Sequence, residues 1–194
     1  RIPPEAGWAG GSSNAATTLL ALNRLWGLDL PKQTLHEIAA SLGSDINFFV
    51  EDCRAAVCSG RGERVAPIQP GGCLYFVAAQ PASGNSTPEV FRQLRVPGIE
   101  QRRDVRSTIA AVKSGTMKNL QDASFNRLTK AAQELNPDMA DLMRVMAQDT
   151  GRTVFMSGSG STCFVIARHQ REAGRLKSRL QHLNCRWLAA FKVE

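Results

Sequence analysis

The run Ala6-Gly7-Trp8-Ala9-Gly10-Gly11-Ser12-Ser13-Asn14-Ala15-Ala16 passes without a break into the strongest helical pattern of the chain, and no other stretch constrains the fold as much. Over residues 14–26, Ala15, Leu19, Leu22 and Trp26 fall at i, i+4, i+7 and i+11, one face of a helix, and Gly27 supplies the stop. Small residues let a ligand approach the backbone, and glycine reaches conformations closed to other residues. The N–H groups of a first helical turn, at the positive end of the helix dipole, form an anion site. Ser12 and Ser13 add hydroxyls that either cap the helix or meet a phosphate or its magnesium ion. No Gly-Lys-Ser/Thr follows, so this is not a Walker A loop, nor is it the dinucleotide fingerprint. Two readings stand on the residues alone: a capped helix after a glycine turn, and a phosphate loop.

Further along, Pro31 opens a second helix with Leu35, Ile38, Ala39 and Leu42 as its buried stripe, closed by Gly43. After a turn at Asp45, residues 54–59 and 64–68 read as paired strands around Gly60-Arg61-Gly62. Gln69-Pro70-Gly71-Gly72 is the best domain boundary. Residues 74–79 are nearly all apolar, as in a strand covered on both faces. Helices are expected at 88–94, 105–113, 122–135 and 137–148. The last is capped by Asn136 and carries Met139, Leu142, Met143 and Met146 as a core stripe. Strands at 153–156 and 163–167 flank the turn Ser157-Gly158-Ser159-Gly160-Ser161. A basic helix at 171–183 and a strand at 186–193 close the chain. The alternation implies an α+β protein whose second half is a sheet with helices packed on one side.

Composition narrows the function. The 24 Lys and Arg against 17 Asp and Glu give +7, a surplus suited to an anionic ligand. Arg102-Arg103 is the only adjacent basic pair and no aromatics interleave, which speaks against nucleic-acid binding as the main role. Five scattered cysteines without a C-x-x-C spacing speak against a disulfide framework or a zinc site. The three histidines (His36, His169, His182) sit on helical stretches, which argues against histidine chemistry. No apolar run has the length of a membrane span, and a cytoplasmic location with no membrane partner is expected.

The stretch Ile2-Pro3-Pro4-Glu5-Ala6-Gly7-Trp8-Ala9-Gly10-Gly11-Ser12-Ser13-Asn14 resembles the phosphate-binding loop of the GHMP kinases. Leu22-Asn23-Arg24-Leu25-Trp26, Leu42-Gly43-Ser44-Asp45 and Gly60-Arg61-Gly62-Glu63 are most similar to the branch of that family acting on 4-diphosphocytidyl-2-C-methyl-D-erythritol. Residues 156–164 resemble the family's third motif, a glycine loop of the carboxy-terminal domain. The resemblance implies a two-domain architecture: residues 1–70 as part of a ribosomal S5 domain 2-like, ATP-binding domain, and 71–194 as a ferredoxin-like α/β plait. It further implies ATP with Mg2+ as phosphoryl donor on residues 3–14, and transfer to the 2-hydroxyl of that small-molecule substrate in non-mevalonate isoprenoid biosynthesis. On position alone Asp45 is a turn residue or cap; the resemblance makes it the base for the acceptor hydroxyl. Ser157, Gly158, Ser159, Gly160 and Ser161 are implied to face the substrate diphosphate. Phe164 is either a stacking partner for cytosine or core, and the loop around Gly84-Asn85-Ser86-Thr87 is on the substrate side.

The sequence departs from the family pattern at four places. Trp8 stands for a leucine, Asn85 for a valine and Asn47 for a proline, the last expected to be harmless. Glu5 would weaken nucleotide binding if it pointed inward without a counter-charge. The family's upstream segment, with a lysine near the aspartate and contacts to cytosine, is expected to be missing. A domain short of strands would expose an edge open to homo-oligomer formation or other association. The alternatives are another GHMP kinase of the homoserine or mevalonate type, and a non-catalytic ligand-binding module on the same scaffold.

Overall fold

Apolar residues at helical spacing dictate the first part of the chain. The computed structural model describes residues 3–95 and 104–193; Arg1, Ile2 and the Arg102-Arg103 pair lie outside them. Contacts divide the chain into two units: residues 9–69, and the described residues up to 8 together with those from 70 onward.

In residues 9–69, helix α1 (Gly10–Leu25) starts at the glycine pair and ends where Gly27, at φ +58°, turns the chain. Pro31 stands just ahead of α2 (Lys32–Leu42), and α3 (Ile46–Glu51) follows the Asp45 turn. Ala16, Leu35, Ala39, Ile46 and Val50 form the core of this unit, with Ala15 and Leu19 packed against it. One residue of the α1 face and one of the expected buried stripe of α2 are exposed. Trp26 (63% exposed) is the cap beyond the end of α1, and Leu42 (64%) is the last residue of α2, where Ile46 and Val50 of α3 fill the core instead. Strands β1 (Ala56–Ser59) and β2 (Arg64–Pro67) pair antiparallel around the Gly60-Arg61-Gly62 tip.

The other unit is a four-stranded antiparallel sheet of β3 (Leu74–Gln80), β4 (Phe155–Met156), β5 (Cys163–Ala167) and β6 (Trp187–Val193) in the order β4-β5-β3-β6. Between β3 and β4 lie α4 (Thr87–Gln93), α5 (Val105–Ser114), α6 (Met117–Ala123), α7 (Thr129–Leu135) and α8 (Pro137–Thr150); α9 (Gln170–Arg179) lies between β5 and β6. This is the ferredoxin-like plait, a split βαβ arrangement. The strand expected at 153–156 shortens to two residues, because β4 pairs with β5 only through Phe155↔Phe164 and Met156↔Cys163.

Helices on one side only were expected, but the sheet is covered on both. Val77, Ala79, Cys163, Val165 and Ala167 form one core with Met139, Leu142 and Met146 of α8 and Ala173 and Leu176 of α9. Leu74, Phe76, Phe164 and Ile166 point the other way, onto Ala111 of α5 and Leu120 of α6. β3 and β5 are apolar at odd and even positions alike, so neither face can be left to water. Across the α5/α6 face the rings form a row: Phe155–Phe164 (5.6 Å), Phe164–Phe76 (5.8 Å), Phe76–Phe191 (5.4 Å), Phe191–Trp8 (5.1 Å) and Trp8–Trp187 (5.4 Å).

The helix expected over 122–135 is interrupted over residues 124–128, between the end of α6 and the start of α7. The Asn126 side chain accepts from Leu128 N–H at 2.9 Å, a local bond that competes with the helical one. At the start of α9 the buried Glu172 carboxylate accepts from Arg168 N–H (2.6 Å), from the Arg168 guanidinium (Nη2, 2.8 Å) and from Arg152. The Arg168 hydrogen bonds, with Arg152 beside them, hold its carboxyl down at about 2. No helix among the described residues is long and apolar enough to cross a membrane.

Candidate active site

In residues 9–69, Ala9 precedes α1 in the left-handed region (φ 48°, ψ 34°) and offers no side-chain cap. Ser13 N–H is the first donor of the helix to find a partner, the Ala9 carbonyl at 2.9 Å. The N–H groups of Gly10, Gly11 and Ser12 make no hydrogen bond among the described residues, nor do the hydroxyls of Ser12 and Ser13. Asn14 is exposed. A 16-residue helix thus begins with donors in place and no acceptor, the arrangement that receives an anion.

Asp45 is exposed at the head of α3, where its side chain makes no capping hydrogen bond. The hairpin tip reaches it. A Cβ added to Gly62 (φ +125°) would lie 2.9 Å from the Ser44 carbonyl oxygen and 3.3 Å from Asp45 Oδ1. Asn47, buried, donates through Nδ2 to the Glu63 carbonyl at 2.8 Å. It therefore ties α3 to the tip, a role its harmless reading as a proline replacement did not foresee. The two stretches singled out by resemblance, 42–45 and 60–63, meet here.

In the other unit, residues 3–8 lie along the 157–161 turn. Ser161 N–H donates to the Glu5 carbonyl (3.1 Å) and Thr162 N–H to that of Ala6 (3.3 Å). Ser157 Oγ donates to the Gly7 carbonyl (2.9 Å) and Gln80 Nε2 to that of Pro4 (3.2 Å). An ideal Cβ on Gly7 (φ +71°) would overlap the Ser157 carbonyl, so only glycine permits this approach. Pro3 is half-buried beside these contacts. Trp8 sets its ring edge-on to Trp187 and Phe191, a use for the larger side chain in place of leucine. The Glu5 side chain lies against Gly84, where an added Cβ would overlap its carboxylate.

Sequence reasoning missed what holds the 157–161 turn: Asn126 donates to the carbonyls of Met156 and Gly158, and Asn85 to that of Ser159. Asparagines in loops read as turn formers, and no local pattern marks a long-range donor. Gly160 is confined by Asn85 Nδ2, which a Cβ there would strike. Phe164 has ring neighbours on both sides, Phe76 and Phe155, which favours its packing role.

Residues 1–59 match the GHMP kinases N terminal domain and residues 108–184 the GHMP kinases C terminal domain. The chain is 37% identical over 180 residues to the 4-diphosphocytidyl-2-C-methyl-D-erythritol kinase of Bacillus subtilis (strain 168), covering 93% of this chain and 62% of that protein. A crystal structure of 4-(cytidine 5'-diphospho)-2C-methyl-D-erythritol kinase is similar at TM-score 0.75 and 31% identity, over 99% of this chain and 67% of that one. A homoserine kinase from Cytophaga hutchinsonii shares the fold, at TM-score 0.71 and 15% identity, over 100% of this chain and 67% of its own. The chain thus spans 62% of the length of its Bacillus relative.

Proposed function

This chain belongs to the GHMP kinases, and on that footing we propose that it is the greater part of an ATP-dependent kinase for 4-diphosphocytidyl-2-C-methyl-D-erythritol. The observation that carries the reading is the start of α1: a glycine loop whose unbonded N–H groups await an anion, in a chain 37% identical to a kinase of that name. Residues 1–70 are taken as what remains of the ATP-binding domain and 71–194 as the carboxy-terminal domain. Homoserine kinase shares only the fold with this chain, and no observation favours its chemistry.

In this reading the ATP phosphates meet Ala9, Gly10, Gly11, Ser12, Ser13 and Asn14, with Pro3, Pro4, Glu5, Ala6, Gly7 and Trp8 completing the loop. The N–H groups and helix dipole then offset the negative charge that spreads over the phosphoryl oxygens during transfer. Magnesium would be held with ATP by the hydroxyls of Ser12 and Ser13, which have no other partner among the described residues, and would neutralise phosphate charge. Asp45 orients the 2-hydroxyl of the acceptor and takes its proton late, since a loose transition state asks for little basicity. Ser157, Gly158, Ser159, Gly160 and Ser161 face the substrate diphosphate; Phe164 supports them from the sheet. The step belongs to non-mevalonate isoprenoid synthesis, in the cytoplasm where ATP is abundant. Self-association belongs to the same reading, supported by Leu25, Trp26 and Leu42 exposed on residues 9–69; concentration-dependent sedimentation checks it.

The test is ADP release with magnesium-ATP and the diphosphocytidyl substrate, from the 194-residue chain alone and joined to the part of its Bacillus relative that it does not cover. Substrate-dependent turnover that is lost in Asp45→Asn is the expected result. Turnover unchanged in Asp45→Asn would remove Asp45 from the mechanism. ADP release indifferent to the substrate in both forms would refute the assignment of acceptor.

A further inference from the structure

The 157–161 turn is held by side-chain amides whose directions are set by the backbone. Asn136 Oδ1 accepts from Met139 N–H (3.0 Å) at the head of α8, so its Nδ2 is the donor to Asn85 Oδ1 (2.7 Å). Asn85 Nδ2 must then donate to the Ser159 carbonyl (2.8 Å). Both asparagines are 5% exposed, so water cannot substitute for these bonds. Asn126 is oriented the same way: its Oδ1 accepts from Leu128 N–H, leaving Nδ2 to donate to the carbonyls of Met156 (3.0 Å) and Gly158 (2.7 Å).

The backbone of the turn can then be followed group by group. The carbonyls of Met156, Gly158 and Ser159 face the asparagines, and that of Ser157 accepts from Gly160 N–H. The N–H groups of Ser157, Gly160, Ser161 and Thr162 donate to Thr162, Ser157, Glu5 and Ala6 respectively. Those of Gly158 and Ser159 make no hydrogen bond among the described residues. Gly158 stands in the left-handed region at φ +55°, and two successive free donors at such a residue are what backbone oxyanion sites use. Thr87 Oγ1, 2.7 Å from Ser159 Oγ, fixes the hydroxyl beside them.

We infer that Asn126 and Asn85 are positioning residues that turn the carbonyls of this loop inward and leave Gly158 and Ser159 N–H as a preset seat for a phosphate oxyanion. The inference rests on the reading that this turn meets the phosphate groups of a substrate. Neither asparagine touches the ligand; each acts through the peptide it holds. Asn85 is buried, and its bonds run to the turn, to Asn136 and, through Nδ2, to Met139 Sδ at 3.6 Å.

The experiment follows backbone amide signals of the 194-residue protein by NMR during titration with inorganic pyrophosphate. It compares the parent with Asn126→Ala, and with Asn119→Ala, an exposed asparagine of the same unit bonded to Ser114. Saturable shifts centred on Gly158 and Ser159 are expected in the parent and in Asn119→Ala. Asn126→Ala is expected to weaken pyrophosphate binding by about tenfold or more, since two oriented donors are lost. A merely structural role for Asn126 would lower the melting temperature and leave the pyrophosphate affinity unchanged; that result overturns the inference. Should Asn126→Ala not fold, Asn85→Leu tests the same claim at Ser159 alone, with the same two outcomes. Shifts that miss Gly158 and Ser159 in the parent itself would refute the underlying phosphate reading, a failure visible before any variant is made.

Discussion

Replacing Glu172 by glutamine removes a charge that the fold has surrounded with donors. The carboxyl is held at about 2, against an ordinary value near 4.5, by the Arg168 hydrogen bonds first and by Arg152. A depressed carboxylate contributes stability that is complete above the unfolded-state pKa and is lost as pH falls through the folded one. The shift corresponds to about 3 kcal/mol at neutral pH, at 1.36 kcal/mol per unit, and about 2 kcal/mol of it is gone by pH 3. The Glu172 side chain is only 9% exposed, but Arg168, its first partner, is 62% exposed, so solvent screening makes this figure an upper bound. Urea unfolding followed by tryptophan fluorescence is the assay. Trp8 and Trp187 report on the unit that contains Glu172, whereas Trp26 is already 63% exposed and changes little. Glu172→Gln should destabilise this unit by up to about 3 kcal/mol at pH 6, and by about 1 kcal/mol or less at pH 3 as the parent loses its advantage. A gap between parent and variant that stays constant from pH 6 to pH 3 would refute the reasoning, because the charge would then contribute nothing that titrates.

Three further expectations can be checked with the same protein. Gly7→Ala must adopt φ +71° and drive a methyl into the Ser157 carbonyl; a loss of at least about 2 kcal/mol in urea unfolding is expected, and a neutral result would mean residues 3–8 do not pack as described. Trp8→Ala removes two edge-to-face ring contacts and should cost about 2 kcal/mol, with loss of the near-ultraviolet dichroism of the tryptophan pair. Cys163 is fully buried and burial pushes its thiol up to about 12, so an aromatic disulfide reagent should label exposed Cys73 in the native protein and reach Cys163 only after unfolding.

Elements with a strong local signal were legible in the sequence. Gly27 marked the end of α1 and Pro31 the start of α2, and Asn136 was recognisable as the cap of α8, whose methionines form core. The misreadings have a common origin in tertiary demand. The apolar pattern over 122–135 is periodic enough for one helix, but Asn126 is drawn to the 157–161 turn and breaks it. Leu42 has the right spacing for burial, yet the core it should enter is closed by α3. At the candidate site, residues 3–8 and 157–161 could each be picked out as glycine motifs. That they bond to one another could not, because hydrogen bonds across 150 residues leave no periodicity.

The row of rings across the sheet works as a parity check on strand alignment. Phe155, Phe164, Phe76 and Phe191 each come from a different strand, and all stand on the same face. Shifting a strand by one residue sends its ring to the opposite face. For β3 or β5, whose rings have neighbours on both sides, that breaks two contacts together. A shift by two restores the face but moves the ring about 7 Å along the strand, beyond reach of its neighbours. A misaligned strand therefore loses its ring contacts, and a single-residue insertion within β3 or β5 costs more than one in the loops between strands.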